Sequence, residues 1–368
     1  MTERRALIMD FLRANGWGAA RVEALPGDAS TRRYFRVDDG ARRAMLMDQP
    51  QQAETPPAPP HATPQQRAAL GYNAVARLAG ADCGRFVAVA EHLRGLGVST
   101  PQIFAAECTA GLVLMEDFGD RLYADVLSNG ADETELYGAA IETLAHVHGH
   151  RGAAQMSMPL YAYDETAMLA ETDLLPQWYL PLALGRQATA DEAGAHRALW
   201  RDLLAQLAQS DVSFVHRDYH AQNLLWLPER RGIGRVGLID FQDAVAGSRA
   251  YDLVSLLEDA RRDVSPDLRL AMIEHYRGAM HKAGAEVNAA QLDAALAIMA
   301  AQRNAKIAGI FARLYLRDGK PRYLGYLPRV WAYLNHDVQH PSLAPLKAWF
   351  ERILPEHARQ GQIEGVSA

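Results

Sequence analysis

Apolar and polar residues alternate in short runs through residues 1–118, a pattern typical of β-strands. Helical spacing occurs near the N-terminus, where charges interrupt the apolar positions, and over residues 83–97, which end in glycine. Residues 50–66 are rich in proline, which favours extended conformations, and we interpret them as an insertion whose role the sequence leaves open. The β-like runs lie at residues 21–25, 33–37, 42–47 and 111–116.

After residue 118 the apolar positions recur at helical spacing, in long segments rich in Ala and Leu. Three β-like runs, at residues 212–215, 223–227 and 235–239, interrupt these segments and predict a short hairpin. We therefore expect an α+β fold of two lobes, with a β-rich lobe over residues 1–118 and a larger helical lobe over residues 119–368. The helical segments lie at residues 133–150, 164–184, 190–210, 266–284, 289–317 and 343–354.

Composition and charge exclude several classes of function. The 368 residues carry 38 Lys and Arg against 44 Asp and Glu, and this net charge of −6 argues against a general nucleic-acid binder. Cys83 and Cys108 have neither metal-ligand spacing nor the density of a disulfide scaffold, so we expect reduced thiols in a cytoplasmic protein. No apolar run approaches a membrane span, so we expect no membrane partner. The oligomeric state is left open.

The densest group of polar residues in an apolar context is FVHRDYHAQNLLW, residues 214–226. Asp218 and Asn223 stand five residues apart in it, and Asp240 follows the next β-like run in GLIDFQDA. Mg²⁺ takes hard oxygen ligands and usually keeps substrate phosphates in its shell, so one carboxylate and one amide suffice to hold it. We therefore assign Asn223 and Asp240 to a Mg²⁺ site. The alternative interpretation is a buried hydrogen-bond network without chemistry.

Several spaced motifs in this half resemble those of a known family. The catalytic-loop pattern H-R-D-x-x-x-x-N is matched, and IDFQDA resembles the metal-binding D-F-G segment with Gln242 in place of glycine. With Asp243, Gly247 and the run YDLVSLL, these motifs are similar to the aminoglycoside-phosphotransferase-like branch of the protein-kinase-like fold, whose members phosphorylate small molecules. The resemblance covers most of the chain. The residues that match the loop pattern are His216, Arg217, Asp218 and Asn223.

The resemblance implies a bilobal protein-kinase-like fold with ATP as co-substrate. It implies that Asp218 is the catalytic base, which orients the attacking hydroxyl and accepts its proton. It also implies structural roles for His216 and Asp252 in supporting the loop. His220 and Asp243 stay open between a contact to substrate or metal and support of a turn.

Two segments of the N-terminal half resemble the nucleotide-binding parts of this family. The first is PGDASTRRYFRV, residues 26–37, in which Ser30 and Thr31 are small enough to let backbone donors approach phosphates. By itself this segment is typical of an ordinary hairpin. The second is VLMEDFGD, residues 113–120, which resembles the hinge where adenine is bound through backbone groups around Glu116 and Phe118.

One departure from the family concerns the cation that binds the nucleotide phosphates. The third strand of kinases carries a lysine for this purpose, whereas Met47 stands at the expected place and no lysine precedes Lys282. We expect Arg32 or Arg33 in the loop, or Arg43 on a neighbouring strand, to supply a bidentate guanidinium instead. The alternative is a relative without catalysis, which is disfavoured because the loop aspartate and both metal ligands are present.

The acceptor is suggested by a further resemblance. The segment GDASTRRYFRV, the MD after the third strand and residues 301–334 look like the N-acetylmuramate/N-acetylglucosamine anomeric kinases of peptidoglycan recycling in the bacterial cell wall, which phosphorylate C1 of the sugar. We expect one helix face in the last segment to bind the sugar, with Arg303 as the first candidate. The alternative is a solvated helix face. The basic residues of this face are Arg303, Lys306, Arg313 and Arg317, and Gln302 and Asn304 adjoin them.

Two other functions stay open on the sequence. One is an aminoglycoside or choline-like kinase, and the other is a nucleotide-binding regulatory module without turnover. A cationic acceptor needs an acidic wall, whereas residues 303–322 are basic with Asp318 as their only acid, which favours an acceptor that bears a carboxylate. The sequence does not decide between N-acetylmuramate and N-acetylglucosamine.

Overall fold

The computed structural model describes residues 2–26, 32–50, 56–59, 61–150, 156, 158–207, 212–285 and 287–363. Ser30 and Thr31, together with part of the proline-rich segment, lie outside the described residues. The chain forms two compact units that alternate along the sequence, and the predicted division near residue 118 stays a prediction. The first unit comprises Met1–Thr143, Gln155–Tyr161 and Ala221–Ala244, and the second comprises Leu144–Ala154, Ala162–His220 and Val245–Ala368.

The strands are β1 (Arg21–Ala24), β2 (Arg33–Asp38), β3 (Arg43–Asp48), β4 (Ile103–Glu107), β5 (Leu112–Glu116), β6 (Tyr161–Ala162), β7 (Val212–Val215), β8 (Leu224–Trp226), β9 (Val236–Leu238) and β10 (Val245–Ser248). The helices are α1 (Thr2–Ala14), α2 (Pro64–Leu70), α3 (Cys83–Gly95), α4 (Tyr123–Ser128), α5 (Glu133–Gly149), α6 (Glu165–Thr172), α7 (Leu180–Leu184), α8 (Ala190–Ala205), α9 (Ala250–Leu257), α10 (Pro266–Lys282), α11 (Ala289–Leu316), α12 (Leu327–Asp337), α13 (Ala344–Ile353) and α14 (Glu356–Arg359). Single π-helical turns occur at Asn73–Arg77 and Leu175–Tyr179, and 3₁₀ turns occur at Gly232–Arg235, Pro321–Tyr326 and Pro341–Leu343.

The first unit is built on an antiparallel sheet of five strands in the order β1-β2-β3-β5-β4. Side chains alternate between its two faces, as the period of a strand requires. One face packs against α1 and buries the apolar core of this unit. Tyr34, Arg36, Met45 and Met115 stand on the other face and line a cavity. The core comprises Ile8, Leu12, Trp17, Ala20, Val37, Ala44, Leu46, Leu112 and Leu114.

The second unit is organised around α11, a helix of 28 residues that packs against α6, α9 and α12. Asn288 caps its N-terminus by accepting a hydrogen bond from the amide of Gln291. Small residues let the neighbouring backbone approach closely: a Cβ at Gly309 would lie 2.4 Å from the carbonyl carbon of Leu174. Three consecutive polar residues of α11, Gln302, Arg303 and Asn304, are buried.

Most predicted elements are confirmed, and the exceptions have local causes. The four predicted N-terminal strands and the hairpin of β8 and β9 are present. The single helix predicted over residues 164–184 is wrong, because α6, a π-helical turn and α7 share this range. Pro176 and Pro181 lie in that interval and have no N–H for a regular helical ladder. Among the helices that the structure describes, none has the length and apolar character required to cross a membrane.

Candidate active site

The first unit contains a cavity of about 420 Å³, within the size range of small-molecule sites. Its walls are one face of the five-stranded sheet, the segment after β5 and the open end of the hairpin of β8 and β9. The sequence predicted several of these residues but missed Tyr34, Arg36 and Met45, because no local motif marks the cavity face of a strand. The predicted residues in the lining are Arg32, Glu116, Phe118, Asn223 and Asp240.

Asn223 and Asp240 are brought together by the pairing of two short strands. Asn223 precedes β8 and Asp240 follows the antiparallel β9, so both stand at the same end of the hairpin. The amide of Ile239 donates to the carbonyl of Asn223 at 3.1 Å and holds this end closed. Asp240 has φ of 61°, a backbone conformation that costs energy outside glycine and often marks functional sites.

The donor set at this end fits Mg²⁺ bound together with phosphate. No group of three or more His, Cys, Asp or Glu side chains that could hold a metal occurs within the described ranges. The protein therefore offers one carboxylate, from Asp240, and one amide, from Asn223. Such a pair suits a hard cation that brings most of its oxygen ligands from phosphate and water.

Arg32 lies against the same carboxylate. Its Nη1 donates to Asp240 Oδ1 at 2.7 Å, and its side chain is only 6% exposed. Gln242 Nε2 donates to the same oxygen at 3.1 Å. The other two candidate cations are elsewhere: Arg33 pairs with Asp48 at 2.5 Å and Arg43 with Asp38 at 3.0 Å, both on exposed side chains. A cation thus already stands at the predicted metal ligand.

The segment after β5 has its polar side chains fixed by arginines. Glu116 Oε1 accepts from Arg230 Nη2 at 2.5 Å, and the guanidinium of Arg230 lies 4.9 Å from the ring of Phe118. The ring packs on Gly237, where a Cβ would lie 2.9 Å from Phe118 Cδ2. Residue 237 therefore has to be glycine for the ring to keep its place beside the cavity. Adenine binding at this segment stays a prediction.

In the second unit, the loop that carries Asp218 is braced through its backbone. The amides of His216 and Arg217 donate to the carboxylate of Asp252 on α9 at 2.6 and 3.0 Å. Burial raises the pKa of Asp252 to about 7, although the two N–H donors act to lower it. Arg217 adopts φ of 76°, so the turn into Asp218 is strained and depends on this bracing. The structural contact expected of Asp252 is present.

A buried carboxylate that the sequence did not reveal, Glu171 on α6, receives four donors. Arg217 Nη2 and Lys306 Nζ bind its Oε1, the latter at 2.8 Å, and Tyr163 and Gln302 donate to its Oε2. Burial opposes ionisation, but the charges of Lys306 and Arg217 hold the pKa of Glu171 below its usual value. Lys306 and Gln302, predicted to bind sugar, are thus bonded to Glu171, and their substrate role stays a prediction.

Asn304 belongs to a different cluster. Its Nδ2 donates to Glu258 Oε2 at 2.8 Å and to Asp337 Oδ2 at 2.9 Å, and Arg269 pairs with Glu258 at 2.7 Å. Burial and the neighbouring charge of Glu258 raise the pKa of Asp337 well above its usual value. Burial likewise raises the pKa of Glu258, so the surroundings of this pair favour its protonated form.

Arg303 differs from its neighbours on α11. Its side chain is buried, but in the part of the chain that the structure describes it makes one hydrogen bond, from Nη1 to the carbonyl of Glu258 at 3.3 Å. Arg317, at the far end of the predicted basic face, pairs with Asp318 at 2.7 Å and is exposed. The four basic residues therefore do not form one surface.

Comparisons with known proteins agree with this geometry. Residues 21–287 match the phosphotransferase enzyme family. The chain is 43% identical to an N-acetylmuramate/N-acetylglucosamine kinase of Caulobacter vibrioides over 98% of this chain and 99% of that protein. It is 35% identical to the kinase of the same name from Pseudomonas aeruginosa, over 90% of this chain and 89% of that one.

Solved structures show the same fold at low identity. An ADP-bound aminoglycoside phosphotransferase aligns with a TM-score of 0.54 at 15% identity, over 89% of this chain and 96% of that one. A microcompartment-associated aminopropanol kinase aligns with a TM-score of 0.57 at 16% identity, over 90% and 98%. The predicted α+β, protein-kinase-like fold is confirmed by these likenesses. The chain belongs to the phosphotransferase enzyme family.

Proposed function

We propose that the protein is an ATP-dependent kinase that phosphorylates the anomeric C1 hydroxyl of N-acetylmuramate and N-acetylglucosamine in peptidoglycan recycling. One observation carries the proposal: a chain 43% identical to a kinase of these two sugars has an amide and a carboxylate, Asn223 and Asp240, at one end of a hairpin beside a ligand-sized cavity. ATP as co-substrate makes the cytoplasm the compartment of the proposed reaction.

The nucleotide is proposed to bind in the cavity of the first unit. Asn223 and Asp240 would hold Mg²⁺, which would neutralise phosphate charge during transfer. Glu116 and Phe118 border the adenine. The family resemblance assigns the cover of the phosphates to Ser30 and Thr31, which lie outside the described residues. These assignments extend the family resemblance to the cavity lining.

Arg32 takes the place of the missing strand lysine in this proposal. It lies in the cavity, whereas Arg33 and Arg43 are exposed and paired with other acids. Its planar guanidinium suits bidentate donation to phosphate oxygens. Arg32 donates to Asp240 from inside the cavity, so its guanidinium stands where it would bind phosphate oxygens.

Asp218 is proposed to act on the acceptor. The C1 hydroxyl oxygen forms a bond to the γ-phosphorus, the bond from that phosphorus to the β,γ-bridging oxygen breaks, and ADP leaves. Asp218 orients the hydroxyl and takes its proton late in the transfer. Asp252 and Glu171 hold the loop, the first through the backbone and the second through the side chain of Arg217.

A screen of acceptors tests the function. The purified protein is supplied with Mg²⁺ and ATP and with N-acetylmuramate, N-acetylglucosamine, an aminoglycoside or choline, and ADP release is measured. We expect turnover with the two amino sugars alone, and its loss in Asp218→Asn. Turnover with the aminoglycoside or choline alone contradicts the proposal, and nucleotide binding without consumption for every acceptor identifies a regulatory module.

A further inference from the structure

Three buried polar side chains of the second unit keep hydrogen-bonding capacity that the fold does not use. His220, Asp259 and Arg303 are 6%, 1% and 4% exposed. His220 Nδ1 and Asp259 Oδ2 have no hydrogen-bond partner among the residues described, and Arg303 uses one of its five N–H donors. Buried polar atoms in folded proteins almost always find a partner, so His220 Nδ1 and Asp259 Oδ2 call for a ligand or water.

The three side chains come from separate elements, and His220 lies within electrostatic reach of Asp259, Arg303 and Asp218. The amide of His220 donates to the carbonyl of Asp218 at 3.0 Å. Arg303 binds the carbonyl of Glu258, which belongs to the peptide bond leading into Asp259. Burial lowers the pKa of His220, and the charges of Asp259, Asp218 and Arg303 all act on its ring. The imidazole is therefore neutral at pH 7, with one donor and one acceptor nitrogen.

The atoms without hydrogen-bond partners determine which donors and acceptors a ligand at this place needs. Asp259 Oδ1 already accepts from the amide of Arg261 at 2.9 Å, so Oδ2 is the free acceptor and needs a donor such as a hydroxyl or an amide N–H. Arg303 needs an acceptor and suits a carboxylate. A small molecule with hydroxyl, acetamido and carboxylate groups supplies all of these, whereas a simple cation leaves Arg303 unsatisfied.

We propose that Asp259, His220 and Arg303 form the subsite for the sugar acceptor. Asp259 accepts a hydrogen bond from a donor that both sugars carry, His220 binds a ring hydroxyl, and Arg303 binds the lactyl carboxylate that only N-acetylmuramate carries. The inference rests on the proposed function. It assigns sugar binding to the three side chains of this cluster. Lys306, Gln302 and Asn304 instead bind the carboxylates of Glu171, Glu258 and Asp337.

Kinetics on both sugars separate these roles. Asp259→Asn should lower kcat/KM by roughly ten- to a hundredfold for both sugars, with their ratio unchanged within about threefold and the KM for ATP unaltered. Arg303→Gln should lower kcat/KM by roughly ten- to a hundredfold on N-acetylmuramate, with a much smaller change on N-acetylglucosamine. Asp267→Asn, an exposed acid on the next helix, is the matched control and should behave as the parent.

Each outcome decides one proposal. If the parent phosphorylates both sugars but Asp259→Asn behaves as the control, the subsite is overturned and the proposed function stands. If the parent phosphorylates neither sugar, the function itself fails. Thermal unfolding without sugar shows whether a variant is folded, and where Asp259→Asn is not, His220→Asn decides: an equal loss on both sugars supports the subsite, and parental kinetics overturn it.

Discussion

Glu171 and Asp259 are both buried carboxylates of the second unit, but only Glu171 is saturated, which means that both of its oxygens accept hydrogen bonds from side chains. Glu171 receives donors on both oxygens, including two cations, whereas Asp259 uses one oxygen for a backbone turn and keeps the other unused. Removal of a saturated buried charge destabilises the fold, because it leaves the buried partners uncompensated. The unused hydrogen-bonding capacity of Asp259, near Asp218, instead indicates a place where substrate would bind.

The buried pair of Glu258 and Asp337 is intermediate between the saturated and the unsaturated carboxylate. Two carboxylates share one amide, from Asn304, and one cation, from Arg269. With too few positive charges to ionise both, the pair keeps a proton. Three neighbouring residues of α11 thus belong to three different sites. Gln302 contacts the saturated carboxylate, Arg303 belongs to the unsaturated cluster, and Asn304 contacts the pair of carboxylates that share a proton.

The largest effect should follow from changing Asp218, the proposed base on the loop near the unsaturated Asp259. Asp218→Asn removes the proton acceptor and should lower turnover by roughly 100- to 10,000-fold, the usual contribution of a general base. Nucleotide binding and the free energy of unfolding should change little. Turnover within threefold of the parent would show that Asp218 has another role.

Changing the saturated carboxylate, Glu171, should lower the free energy of unfolding. Glu171→Gln leaves Arg217 and Lys306 buried without their carboxylate and should lower the free energy of unfolding by about 3–5 kcal/mol, measured with urea. Glu165→Gln on the same helix removes an exposed acid that lies 3.7 Å from Arg201, and it should cost less than about 1 kcal/mol. Equal losses in the two variants would remove the distinction between the carboxylates.

Asp240, in the first unit, can be compared with Asp259. The two side-chain hydrogen bonds that it accepts from described residues go to the same oxygen, so the other oxygen is left for a metal ion. Asp240→Ala should weaken nucleotide binding in the presence of Mg²⁺ by roughly ten- to a hundredfold. Binding without metal should change little. Calorimetric titration with and without Mg²⁺ measures both, and an equal loss in the two conditions would make Asp240 a structural residue.

The smallest effect concerns pH and the protonated pair. Because burial raises the pKa of Asp337 above its unfolded value, the folded state holds a proton that the unfolded chain releases. The resulting stability is complete below the unfolded pKa and is lost as the pH rises. Relative to Asp337→Asn, whose amide replaces the shared proton, the parent should lose unfolding free energy as the pH is raised from about 5 to about 8, by at most about 1.4 kcal/mol per pH unit.

Urea unfolding at several pH values measures this difference. Asp293→Asn alters an exposed acid on α11 that pairs with Arg277, and it should follow the parent across the same range. A parent curve that stays parallel to that of Asp337→Asn would contradict the shared proton.

The sequence predicted what local patterns encode. The strands around residues 33–47 and the hairpin of β8 and β9 depend on neighbouring residues, and the structure contains both. The sequence did not reveal Glu171, because its partners lie 46 and 135 residues away and no sequence spacing indicates a buried charge. The basic face of α11 was predicted as one surface because helical periodicity does not reveal which side chains already have partners.

The account's central claim is transfer to the anomeric hydroxyl of an amino sugar, and the direct test is the position of the new phosphate. The parent is incubated with Mg²⁺, ATP and N-acetylglucosamine, and phosphorus NMR is used to detect coupling between the phosphorus and the anomeric proton. We expect this coupling, and we expect no product from the borohydride-reduced sugar, which lacks the anomeric hydroxyl. A phosphate on another carbon, or equal turnover of the reduced sugar, would contradict the claim.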